Sequence, residues 1–416
     1  MMQAYFENVV QGIEAKLRSQ ADNDSARKRL TLEIARLGAR LFSGKHRVAW
    51  CGVLAPFDLL SAMGVTSCFV EFVGAALASS GAAGPPLEEA EQAGYATDGC
   101  GYHRAVTGAT LRGLMPNPDF LIATSAPCTG GLAVIENLAR QFRKDMFVIH
   151  VPQDRGEAGV AYLADQFRAM TEFVAVHTGE PLDPARLRAA IESTNRVRET
   201  VLDRYRYARA VPSPARRRDM ANFGILLPLL FGTDAALEVA EAYRGQFARK
   251  ANAGIAGVPG EHVRLLWIQN RIQFKNPVDE LLEEQYRAAI VIDELNDVTW
   301  EPIDPDDPYP GLARRALSVP LTGDAATRIH NLRQLARAYR VDGAINPCHW
   351  GCRQGTGIRG LVEMGLREIG VPVLNLEVDC IDERNFAAGQ VRTRIEAFME
   401  MVTNQRTAAS PAGLLV

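Results

Sequence analysis

The stretch "DFLIATSAPCTGGLAVIENLARQF" (119–142) decides the fold class. Residues 119–125 form a short apolar run with the length and bounding signals of a buried strand. "GGLAVIENLARQF" carries the spacing of an amphipathic helix, and a Pro- and Cys-bearing loop joins the two. Working outward, "RVAWCGV" (47–53), "TSCFVEFV" (66–73) and "MFVIHVP" (146–152) read as further strands, with the helix-like "PFDLLSAMGV" (56–65) between the first two. Short apolar strands alternating with amphipathic helices predict a parallel, doubly wound α/β sheet.

From about residue 156 the pattern becomes helical, with long runs such as "LDPARLRAAIESTNRVRETVLDRYRYAR" (182–209). A second series of strands follows: "VRLLWIQ" (263–269), "AAIVIDE" (288–294), "DGAIN" (342–346) and "VPVLNLEVD" (371–379). The expected organisation is an N-terminal helical segment (1–45), a first α/β lobe (46–155), a helical connector (156–256) and a second α/β lobe (257–416), with a cleft between the lobes. The Pro/Asp-rich "EPIDPDDPYPG" (301–311) reads as an irregular loop and a lid. Val391, Ile395, Phe398 and Val402 mark one face of a closing helix.

The 416 residues are 47% hydrophobic and 23% charged, with a net charge of −3. That composition is ordinary for a globular protein and provides no basic stripe for a nucleic acid backbone. "RRR" (216–218) reads as a solvated helix face or a local anion contact. The opening segment lacks the apolar core of a signal peptide. No run reaches the roughly 18 apolar residues of a membrane helix. The expected location is the cytoplasm, where seven cysteines are poor candidates for a disulfide framework and better ones for metal or redox chemistry.

In open parallel sheets ligands bind beyond the carboxyl ends of the strands. Cys128 follows the strand 119–125 directly, and Cys348 and Cys352, in "AINPCHWGCRQGTG" (344–357), follow "DGAIN". Cys100 lies in the glycine-flanked "DGCGYHR" (98–104). Helix N-termini after such loops favour thiolates. Cys51 and Cys68, inside apolar runs, read as packing residues, and Cys380 either as another or as a residue that borders the cleft without binding anything. One C-x3-C without a second pair is a poor zinc pattern, and the spacing is wrong for a C-x-x-C redox pair. Three separated thiolates suit an iron–sulfur cluster better, with one iron left open. His103 and His349 lie beside these cysteines, as acids for the cleft or as loop residues of no special role. No G-x-x-x-x-G-K-[ST] loop, dinucleotide fingerprint or G-x-S-x-G turn occurs.

"GVPVLNLEVDCIDERNFAAGQVRTRIEAFMEMV" (370–402), "CGYHRAVTG" (100–108) and "NPDFLIATSAPCTG" (117–130) resemble the signatures of the benzoyl-CoA reductase / 2-hydroxyacyl-CoA dehydratase family, over about residues 47–402. The resemblance implies two flavodoxin-like lobes holding a [4Fe–4S] cluster through Cys100, Cys128 and Cys352. Cys348 is then an extra thiol, and "PCHWGCRQGTG" (347–357) looks like the benzoyl-CoA reductase branch. The implied activity is ATP-dependent reduction of an aryl-CoA ring. The implied partners are a homologous second cluster- and substrate-binding subunit, ATPase subunits and ferredoxin as electron donor. His103 and His349 are then candidate proton donors, and Trp350 lines an aromatic acyl pocket or packs the loop. Three alternatives stay open: a 2-hydroxyacyl-CoA dehydratase, a double-cubane reductase that uses Cys348, and an electron-relay subunit without a substrate pocket.

Overall fold

The computed structural model describes residues 2–19, 25–220 and 223–409. Among the described residues eight strands form two sheets of four: β1 (Arg47–Cys51), β2 (Val65–Phe69), β3 (Phe120–Thr124) and β4 (Met146–Ile149), then β5 (Val263–Trp267), β6 (Ala288–Asp293), β7 (Gly343–His349) and β8 (Val373–Val378). Every pairing is parallel. The strand order is β2-β1-β3-β4 in the first sheet and β6-β5-β7-β8 in the second. This is the flavodoxin-like order without its fifth strand, so the expected pair of flavodoxin-like α/β lobes is present.

The sequence of the central strands explains their place. All five residues of β3, all five of β5 and all seven of β7 are buried, because helices cover both faces of a parallel sheet. The one charge among them, Arg264, is accommodated by acceptors: Nε donates to the Tyr339 carbonyl at 2.8 Å and Nη1 to Glu261 Oε1 at 2.6 Å.

Between the sheets the chain is helical. Helix Glu157–Thr178 lays Leu163, Phe167 and Met170 on the first core. Helices Pro184–Ala208 and Asp234–Asn252 pack together and contribute Val197, Val201, Val239 and Tyr243 to the second. Arg204 is buried there among the rings of Tyr205, Phe223, Tyr243 and Phe247, 4.0–5.1 Å from their centroids. The closing helix, Ala388–Ala409, buries Val391, Ile395, Phe398 and Val402 as its spacing predicts.

Three local expectations differ. The 301–311 stretch is irregular only to Asp307. Pro308 then starts helix Pro308–Ser318, since proline's fixed φ and missing N–H suit a first helical turn. The "RRR" cluster is not simply a solvated face: Arg217 is buried over the Trp267 ring and paired with Asp279, while Arg216 bonds Glu283 at 2.7 Å. The strand read over 66–73 stops at Phe69, and a helix begins at Glu71.

Two glycines and one arginine fix the contact between the lobes nearest the cysteine loops. Gly351, with φ +74°, packs against the Cys100 backbone so closely that a Cβ would collide with it, and a Cβ on Gly101 would strike the Asp379 carboxylate. Arg104, 3% exposed, donates to Asp379 (3.1 Å) and Asp382 (3.3 Å) of the second lobe and to Glu91 (2.7 Å) of the first. Without Arg104 the buried Asp379 carboxylate loses its cation, whereas Asp382 and Glu91 keep Arg384. Arg104→Met should therefore lower the unfolding free energy by about 3 kcal/mol or more, measured by anaerobic denaturant titration.

Candidate active site between the lobes

A cavity of about 940 Å³ opens between the carboxyl ends of the two sheets and takes its walls from both lobes. This is the crevice where the strand order reverses, the expected place for a ligand in such sheets. Phe57, Phe231 and Trp300 supply apolar wall. Cys100, Cys128 and Cys352 all line the same cavity, together with His103, His349 and Glu71.

Each of the three cysteines is the N-cap of a helix: Cys100 of Gly101–Leu111, Cys128 of Thr129–Phe142 and Cys352 of Arg353–Gly357. Each sulfur also meets nitrogen donors. The Gly131 amide donates to Cys128 Sγ at 3.4 Å, Gln269 Nε2 donates to Cys352 Sγ at 3.5 Å, and His349 Nε2 lies 3.3 Å from Cys100 Sγ. Burial pushes the Cys100 and Cys128 thiols up, and the Cys352 sulfur adds to the rise in both. Helix amides oppose that rise, from His103 at Cys100 and from Gly131 at Cys128. Bare thiolates are thus disfavoured here and would be relieved by a cationic centre among them. Among the described residues no three His, Cys, Asp or Glu side chains converge on a single metal ion. A four-iron cube asks for less convergence, since each cysteine binds a different corner.

The remaining sulfurs are elsewhere. Cys51 and Cys68 are buried inside strands β1 and β2. Cys348 lies within 3.6 Å of the Asn346 carbonyl and Asn375 Oδ1 and is absent from the cavity wall. It neighbours His349 on β7, and successive strand residues face opposite sides. Cys380 is wholly buried behind His349 and does not border the cleft. Trp350 is 44% exposed and lies outside the cavity, so the wall's aromatic character comes from other rings.

The model of the family described as "2-hydroxyglutaryl-CoA dehydratase, D-component" matches residues 53–402. The chain belongs to that family. Members similar to it include the (R)-phenyllactyl-CoA dehydratase alpha subunit of Clostridium sporogenes, 23% identical over 87% of this chain and 91% of that protein. The lactoyl-CoA dehydratase alpha subunit of Anaerotignum propionicum is 24% identical over 87% and 92%. A benzoyl-CoA reductase subunit of Thauera aromatica is 24% identical over 79% and 82%. The resemblance read in the sequence is therefore correct at family level: this 2-hydroxyacyl-CoA dehydratase and benzoyl-CoA reductase family unites lyases and reductases of CoA thioesters.

Three polar groups of this family member's cleft carry no sequence motif. Glu71 opens the helix after β2, with Oε1 3.6 Å from His103 Nε2 and Oε2 buried without a hydrogen-bond partner. Gln269 sits two residues past β5 with φ +53°. Asp297 lines the cavity, and burial, with Glu294 adding to it, pushes its carboxyl up to about 6. Their common signal is position just beyond a strand's carboxyl end.

His349 is neutral: burial, then His103 and Arg104, push it down to about 3. Its Nδ1 accepts the Cys380 backbone N–H at 2.9 Å, which leaves the ring proton on Nε2, facing Cys100.

A raised carboxyl makes the native state bind its proton at higher pH than the unfolded chain. Stability therefore falls as pH rises from about 3.8 to about 6 and stays reduced above. Asp297→Asn should raise the melting temperature at pH 7.5 and leave it unchanged below pH 3.8, measured by differential scanning fluorimetry.

Proposed function

We propose that this chain is the cluster- and substrate-binding subunit of an ATP-dependent aryl-CoA reductase, acting on benzoyl-CoA or an analogue. The observation that carries the reading is that cysteines from three loops, each capping a helix, face one apolar cavity shared by two lobes. Cys100, Cys128 and Cys352 would hold a [4Fe–4S] cluster. When bound, the cluster supplies low-potential electrons to the thioester.

The chain's own residues do the rest. Phe57, Phe231 and Trp300 give an aromatic acyl group an apolar wall and keep water out, which protects strongly reducing electrons. His103 and Glu71 form the acid pair that holds a proton in the cleft. His349 has both ring nitrogens engaged and serves the Cys100 sulfur instead.

The similar proteins are each named as a subunit, which supports a homologous partner subunit here. Without a phosphate-cradling loop of the G-x-x-x-x-G-K-[ST] kind, ATP would be used by separate ATPase subunits, with ferredoxin as their electron source, in the cytoplasm. The second reading, a 2-hydroxyacyl-CoA dehydratase, is favoured by the two dehydratase alpha subunits that match 87% of the chain. The double-cubane variant loses support because Cys348 lies off the cavity wall.

Anaerobic purification with the co-encoded subunits tests both. Turnover of benzoyl-CoA should consume electrons supplied by ferredoxin; dehydration of a 2-hydroxyacyl-CoA without net electron use overturns the reductase assignment. Cys128→Ala or Cys352→Ala should abolish the cluster's EPR signal and its iron, whereas Cys51→Ala should retain both.

A further inference from the structure

The side chain of Gln269 is held in place more firmly than packing alone requires. Arg328 Nη2 bonds Gln269 Oε1 at 2.9 Å, and Arg328 is itself gripped by Glu294 at 2.6 and 2.8 Å. Arginine only donates, so the amide oxygen must face Arg328. The NH2 group is thereby turned toward Cys352 Sγ at 3.5 Å and Gln354 Oε1 at 3.2 Å.

The backbone adds a second constraint. Gln269 is one of four non-glycine residues among those described with positive φ, a strained conformation that persists where its surroundings over-determine it. Gly355 is where the opposite loop makes room: a Cβ there would lie 2.5 Å from Gln269 Oε1. Glu294, Arg328 and Gln269 are all at least 95% buried, so the bond to sulfur is shielded from competing water.

We propose that Gln269, positioned by the Arg328–Glu294 pair, is a positioning residue whose N–H···S bond to Cys352 raises the reduction potential of the cluster. The proposal rests on the cluster reading above. An N–H aimed at a ligand sulfur stabilises the more negative, reduced cluster over the oxidised one. Arg328, donor to the far end of the same amide, polarises it in the same sense. Gln269 thus acts on how readily this chain accepts an electron.

The test is an EPR-monitored redox titration of the full chain with its co-encoded subunits, alongside iron analysis. Gln269→Leu should keep its iron and lower the equilibrium constant for reduction at least tenfold, about 59 mV for a one-electron couple. A Gln269→Leu protein with full iron and an unchanged midpoint overturns the proposal. Should Gln269→Leu lose iron, Gln269→Glu replaces it: this variant keeps the shape and the Arg328 bond but turns an acceptor toward sulfur. Its midpoint should fall in the same direction; an unchanged midpoint, or loss of iron here too, assigns Gln269 a merely structural role and overturns the proposal. A wild-type protein with no cluster instead defeats the reading on which the inference rests, so the two failures are distinguishable.

Discussion

The site depends on a place where the two lobes approach to backbone contact. Gly351 lies against the Cys100 main chain and Gly101 against Asp379; a side chain on either would hold the thiol-bearing loops apart. Next to that contact, the buried Arg104 pairs with carboxylates from both lobes. Replacing a buried ion cluster by apolar residues is often neutral or favourable for stability. Its worth here is positional: Arg104 directly follows His103 in the helix that Cys100 caps, and its partners Asp379 and Asp382 flank Cys380, whose amide holds His349. One cluster of charges therefore sets the register of both loops at the cavity.

The same logic recurs beneath the second sheet. Asp293 and Glu294, at the end of β6, bind Arg271 and Arg328, and all four are buried. Carboxylates at a strand's carboxyl end hold guanidiniums in place there, and Arg328 in turn orients the Gln269 amide that reaches the cleft. A cavity with apolar walls thereby gains a small number of oriented polar groups without admitting bulk water. Cys100 and Cys128 lie in that same environment, where burial and neighbouring sulfur disfavour free thiolate.

Much of this was legible along the chain, and the reason is local. The α/β class and all eight strands follow from runs such as "FLIAT" (120–124), whose burial on both sides demands unbroken apolarity. Cys128 and Cys352 stand out because they follow such runs immediately. Partners distant in sequence are another matter. Arg104 and Asp379 are 275 positions apart, and no spacing rule connects them. Glu71 and Gln269 were hidden inside segments read as strand, because the apolar run continues after the ladder has ended. The arginines at 216–218 looked solvent-bound since their carboxylates, Glu283 and Asp279, come from the β5–β6 connection. Trp350 neighbours two cleft residues along the chain, His349 and Gly351, yet faces away from the cavity, a turn that residue type alone does not reveal.

The shared strand order of the two sheets has a consequence for how the cleft is divided. Cys128 follows β3 and Cys352 follows β7, each the third strand of its lobe, so these thiols occupy corresponding places in two similar halves. Cys100, contributed from ahead of the first lobe's third strand, has no counterpart at the matching place in the second. A guest held between the halves in the proposed way would meet two sulfurs at matching places of a near-duplicate scaffold and the third at a place that only the first lobe provides.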